Sequence, residues 1–121
     1  MDRELVEFIQ DSFGSVWSLE ILLALHREPG RDWQPEQIID ELRSSQAVVR
    51  KGLEELLAAG LILVEDSGSV RYGPSSPRQD EIIRQLAETY RVKPGPVRRL
   101  IVQGPSEKLR TFSDAFRIIK D

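Results

Sequence analysis

The chain has 121 residues, 40% hydrophobic and 31% charged, enough for one domain with a modest core. It has no cysteine and a single histidine, His26, which excludes disulfides, thiolate metal sites and any choice of partners for a Ser-His-Asp triad. The net charge of −3 runs against nucleic-acid binding, because phosphate neutralisation supplies much of that affinity.

The charge is unevenly placed. Eight bases and three acids lie from Arg91 onward, a balance of +5, so residues 1–90 carry −8. Such asymmetry suggests a charged partner surface, or a tail that docks on the acidic part. No apolar run approaches the roughly 20 residues that span a bilayer. The opening MDRELVEF is acidic and amphipathic, unlike a secretory signal. A cytoplasmic protein with no membrane partner is expected.

In chain order, Asp2 to Ser12 fits a helix with Leu5, Phe8 and Ile9 on one face, ended by Gly14. Ser15 caps a second helix, with Ser18 where a full capping box has Glu. Trp17, Leu19, Ile21, Leu22 and Leu25 make that helix apolar around much of its circumference, so it should be central. Pro29-Gly30 ends it, and Arg31-Asp32-Trp33 connects to a third helix opened by Gln34-Pro35. There Ile38, Ile39 and Leu42 face inward. Arg43-Ser44-Ser45 is a turn, with Ser45 as cap of the fourth helix. Val49, Leu53, Leu56 and Leu57 repeat at a helical period up to Gly60, a natural left-handed C-cap. The apolar run Leu61 to Val64, the turn Asp66-Ser67-Gly68-Ser69 and the return Val70-Arg71-Tyr72 read as a hairpin.

Ser76-Pro77-Arg78-Gln79 starts a further helix, with Ser76 and Gln79 forming a capping box and Ile82, Ile83, Leu86, Ala87 and Tyr90 as its stripe. After Lys93-Pro94-Gly95-Pro96, a short helix carries Val97, Leu100, Ile101 and Val102. Gly104-Pro105 then opens a last amphipathic segment through Leu109, Phe112, Phe116, Ile118 and Ile119. Phe8 and Phe13 near one end, with Phe112 and Phe116 near the other, either pair across a two-fold axis or pack within one chain.

The order from Pro35 to Tyr72 resembles a winged helix-turn-helix. The residues that carry the likeness are Ile38-Ile39 with Leu42, the Arg43-Ser44-Ser45 turn, then Val49, Leu53, Leu56 and Gly60-Leu61-Ile62. The layout is also similar to small winged-helix proteins of alphaproteobacteria. Its cues there are Phe13-Gly14-Ser15-Val16-Trp17, Trp33-x-Pro35 and the closing Asp114-Ala115-Phe116-Arg117 with Lys120-Asp121. The resemblance implies a mainly α fold with a small β-hairpin wing: a winged domain over 1–75 and a helical extension over 76–121. That extension would pack on the domain or form a homodimer interface.

It further implies a DNA-binding transcriptional regulator whose helix 45–59 enters the major groove. Gln46 would bond adenine, Arg50 guanine, and Ala47 or Val48 a thymine methyl. Arg43 and Lys51 would hold phosphates beside the helix start at Ser45, and Arg71 would do so from the wing. The rival function is a protein-interaction module. From Pro35 to Ala59 five acids outnumber three bases, and the hairpin tip carries Glu65 and Asp66. An acidic tip repels a phosphate backbone, whereas Ala47-Val48 suits a protein contact. Arg98-Arg99 either grips phosphates or solvates its helix while pairing with the acidic N-terminal half. Trp17 and Trp33 read as core and rim packing, His26 as structural or solvent-exposed, and Glu54-Glu55 as solvating their amphipathic helix. No Gly-rich phosphate loop, HExxH or Gly-x-Ser-x-Gly is present, so neither an enzyme nor a cofactor is expected.

Overall fold

The computed structural model describes residues 1–104. The Leu109, Phe112, Phe116, Ile118 and Ile119 stripe therefore lies outside the described residues. The elements in order are α1 (Arg3–Ser12), α2 (Val16–Arg27), α3 (Pro35–Leu42), α4 (Gln46–Ala58), β1 (Ile62–Val64), β2 (Val70–Tyr72), α5 (Pro77–Val92) and α6 (Pro94–Gln103). The fold is mainly helical with one two-stranded antiparallel sheet.

The caps explain the boundaries. Asp2 accepts the N–H of Leu5 at 2.8 Å, and Ser15 accepts that of Ser18 at 3.3 Å. Gln34 and Gln37 form a reciprocal box at the start of α3, with Pro35 at the first helical position. At the start of α5, Ser76 accepts the N–H of Gln79 as expected. The return bond is displaced, however: the Gln79 side chain takes the N–H of Ser75 at 2.6 Å rather than that of Ser76.

The α4 terminus is a Schellman motif. Gly60 (φ 75°) donates to Leu57 and Leu61 donates to Leu56, both at 3.0 Å, with Leu56 and Leu61 buried against the same core. The hairpin pairs Ile62 with Tyr72, Leu63 with Arg71 and Val64 with Val70. Its Gly68 (φ 90°) sits at the left-handed position of a three-residue loop, where L side chains are strained. Trp33 adds a bridge, donating to the Val70 carbonyl at 2.7 Å and accepting from the Val70 N–H at 2.8 Å. The Arg31-Asp32-Trp33 connector thus meets β2 through a single bridge at Trp33.

α2 is the hub, with every residue from Ser18 to Leu25 buried except Glu20. It packs on α3, α4, β2 and α6. Each fully buried Leu or Ile contributes roughly 1.5–3 kcal/mol. One buried cluster joins Leu5, Ile9 and Leu22 to Ile83, Leu86, Val97 and Ile101. Residues of the expected extension therefore close the same core as the residues before them. Phe8 and Phe13 meet edge to face at 5.9 Å, packed within the chain.

Three apolar residues differ from expectation. Trp17 is 41% exposed, Leu57 52% and Val102 80%. Each lies one position around its helix from the buried stripe, so periodicity alone admitted it. No single helix among the described residues is long and apolar enough to cross a membrane.

Two clamps tie α2 to the later elements. Tyr90 on α5 donates to Glu20 at 2.5 Å and accepts from Arg98 at 3.0 Å. Arg98 thus reaches the acidic half through a phenol, while Arg99 is exposed. In the second clamp, Asp80 accepts from Tyr72 at 2.7 Å and from Arg84 at 2.6 Å, and the His26 ring stands edge-on to Tyr72 at 5.2 Å. Burial pushes the His26 pKa below the ordinary 6.5, against the pull of nearby Asp80. The Tyr72 and Arg84 hydrogen bonds hold Asp80 below the usual carboxylate value. Burial, then the Asp80 bond, pushes the Tyr72 phenol up.

A histidine depressed in the folded state stabilises nothing once both states are neutral, and weakens the fold as pH falls through 6.5. The depressed Asp80 adds further loss near its ordinary 3.8, and the raised Tyr72 weakens the fold as pH rises past 10. Urea unfolding should therefore show stability declining below neutral pH. His26→Gln should flatten that decline, and an unchanged decline would reject the clamp as its source.

Candidate nucleic-acid interface

The candidate surface is the α3–α4 turn and the first two turns of α4. Arg43 is the one non-glycine residue with positive φ among those described (φ 51°, ψ 46°). It lets Ser44 donate back to Ile39 at 3.0 Å, which closes α3 and reverses the chain. Ser45, extended, then caps α4 by accepting the Val48 N–H at 3.2 Å. Burying Val49, Gly52 and Leu56 turns Gln46, Ala47, Arg50, Lys51 and Glu54 into solvent; Val48 is half-buried at the edge.

Arg43, Arg50 and Lys51 are exposed and make no ion pair among the described residues. Arg71 behaves differently. It lies 3.7 Å from Asp32 and 3.6 Å from Glu65. Strand alternation also places it with Leu63 on the opposite face of the hairpin from Val70. The structure therefore groups Arg43, Ser45, Gln46, Ala47, Val48, Arg50 and Lys51, and sets Arg71 apart. Exposed pairs of this kind are worth about 0–1 kcal/mol, so Arg71 is tethered weakly.

Two clefts flank α4. One, of about 620 Å³, runs between α3, α4 and the hairpin and is lined largely by apolar side chains, with Glu36, Arg50 and Glu54 on its rim. The other, of about 590 Å³, lies between the ends of α1 and α6 and the Lys51–Glu55–Ala58 side of α4. Neither was visible in the sequence, because each is made by elements distant along the chain. Glu55 departs from the solvating role expected of it. It is half-buried and accepts the Gly14 N–H at 2.7 Å, fixing the α1–α2 junction to α4. Nothing in a Glu-Glu pair on an amphipathic helix signals that bond.

The Arg43 conformation allows functional and structural roles to be separated. A left-handed non-glycine residue carries a cost of order 1 kcal/mol that glycine largely lacks. Arg43→Gly should thus stabilise the fold slightly, by up to about 1 kcal/mol in urea unfolding. Destabilisation would show instead that the side chain holds the turn.

No protein-family model, curated protein or solved structure matches the chain.

Proposed function

We propose that the chain is a winged helix-turn-helix protein that binds double-stranded DNA and regulates transcription, with α4 in the major groove and β1–β2 as the wing. In this reading Gln46, Ala47, Val48 and Arg50 face base edges, while Arg43, Ser45 and Lys51 face phosphates. Arg71 contributes once it leaves Asp32 and Glu65. The protein acts in the cytoplasm as a homodimer, as two-fold operators require.

One observation carries the proposal. Arg3, Arg31, Arg71, Arg78, Arg84 and Arg91 each have a carboxylate partner. The three cations around the capped start of α4 have none among the described residues, and the helix N-terminus adds its own partial positive charge. Arg27, Lys93, Arg98 and Arg99 also lack a carboxylate partner among the described residues, but lie away from the start of α4, and Arg98 bonds the Tyr90 phenol instead.

Selection from a random duplex library against the full chain tests this. Enrichment of a shared half-site is expected; a pool that stays random after repeated rounds would reject sequence-specific binding. A protein-interaction role is the second reading, favoured by the apolar cleft beside α4 and by exposed Leu57, Leu63 and Val64. There the acidic wing tip and the Ala47-Val48 edge meet a regulator or polymerase component.

A further inference from the structure

Along the crest of α4, Ala47, Lys51, Glu54 and Ala58 recur at steps of four, three and four, the spacing of a helix-pairing seam. All four are exposed. Arg50 and Glu54 stand on the rim of the apolar cleft, and Lys51 and Ala58 line the cleft on the other side, so the seam is the ridge between them. We propose that this ridge binds the same ridge of a second copy of the chain, antiparallel about a two-fold axis.

The order of the residues selects that partner. Ala47 and Ala58 share a midpoint with Lys51 and Glu54, between Gly52 and Leu53. A two-fold axis through that point sets Ala47 opposite Ala58 of the second copy, and Lys51 opposite its Glu54. Each contact then occurs twice, as an isologous interface requires. A parallel pairing would instead set lysine against lysine and glutamate against glutamate. The alanines let the two helix axes approach to about 8–10 Å. Arg50 flanks the same glutamate.

The charges are available for such a pairing. Arg50, Lys51 and Glu54 make no ion pair among the described residues, although Glu54 lies three and four positions from the two bases. Pairs at that spacing do close on α1 and α5, where Arg3 meets Glu7, Arg78 meets Glu81, Arg84 meets Asp80 and Arg91 meets Glu88.

From Ala47 to Ala58 the seam runs about 17 Å. Two helices touching over that length bury less than the roughly 1,200 Å² at which stable interfaces begin. The contact is therefore weak, and salt screens it. Another ligand of α4 can displace it. Paired in this way, α4 is closed to duplex DNA, unlike the two-fold arrangement on an operator, which leaves both copies of α4 open. That consequence rests on the DNA reading; the pairing itself does not.

The absence of cysteine allows a direct test on the full chain without nucleic acid. A chain carrying Ala47→Cys is mixed at low salt with one carrying Ala58→Cys, and mildly oxidised. The mixed disulfide should form about tenfold faster than either symmetric one, because the axis brings unlike positions together and holds like positions about 17 Å apart. Products in the proportions of random collision would overturn the proposal. So would a symmetric Ala47→Cys product forming fastest, which a parallel pairing gives. Charge exchange tests the centre of the seam. Lys51→Glu in both chains should slow the mixed linkage about tenfold. Lys51→Glu in the first chain with Glu54→Lys in the second should restore it, since every pair is again opposite in sign. No slowing, or slowing that the exchange leaves unrelieved, would contradict the pairing. Because no DNA is present, failure here leaves the DNA reading intact, and failure to bind DNA leaves the pairing intact.

Discussion

Replacing Arg50 and Lys51 together with alanine is expected to abolish duplex binding at low salt. Both side chains are exposed on the first turns of α4, one step apart, and neither has an ion-pair partner among the described residues. Neither contributes to the core, so the fold should be unaffected. A base contact from Arg50 is worth about 1–3 kcal/mol, and the Lys51 phosphate contact accounts for about one unit of salt slope. The combined loss is then on the order of 100-fold, enough to reduce micromolar binding to background. Anisotropy with labelled duplex, alongside far-UV circular dichroism to confirm helicity, measures it. Unchanged binding by a folded double variant would remove α4 from the interface.

Gly52→Leu is expected to cost about 3 kcal/mol of stability, near the upper end for overpacking a close contact. Gly52 faces α2 where the two helices approach closely. A Cβ there would fall 2.6 Å from Ile21 Cδ1 and 3.6 Å from the Ser18 backbone. Ile21 and Ser18 are fully buried, so neither has room to withdraw. Leucine must push α4 off the hub helix. An alanine in its place tests the mechanism, because its helix propensity gains up to about 1 kcal/mol over glycine while it meets the same Ile21 methyl. Chemical denaturation of the three proteins should place Gly52→Leu far below wild type and Gly52→Ala near it. A leucine variant as stable as wild type would show that the α2–α4 contact can yield.

Much of this architecture could be read from the residue order. Ser15, Ser45 and Ser76 caps, the Gly60 terminus and the Val70–Tyr72 return all depend on neighbours a few residues away, and local chemistry determines them. The errors come from longer range. Leu57 and Val102 carry the hydrophobicity of a core residue, but whether a helix edge is covered depends on what lies opposite. Trp17 is the same case on α2. Arg43 gave no sign of its left-handed backbone, since glycine or asparagine is the usual marker.

Gly52 is the place where α4 and α2 touch, a contact that local pattern does not reveal. Of the candidate surface, the exposure of Gln46, Ala47, Arg50 and Lys51 followed from the buried period of α4. The half-burial of Val48, the pairing of Arg71 with Asp32 and Glu65, and the two clefts depend on tertiary placement.

The measurement that bears most directly on the function is the affinity of the full chain for random duplex DNA across a salt series. Binding at about 50 mM salt, with log affinity falling against log salt at a slope of about −2 to −3 per protomer, is the predicted result for the Arg43 and Lys51 phosphate contacts with or without Arg71. No binding at about 50 mM salt, or a slope indistinguishable from zero, would contradict DNA binding and leave the protein-interaction reading.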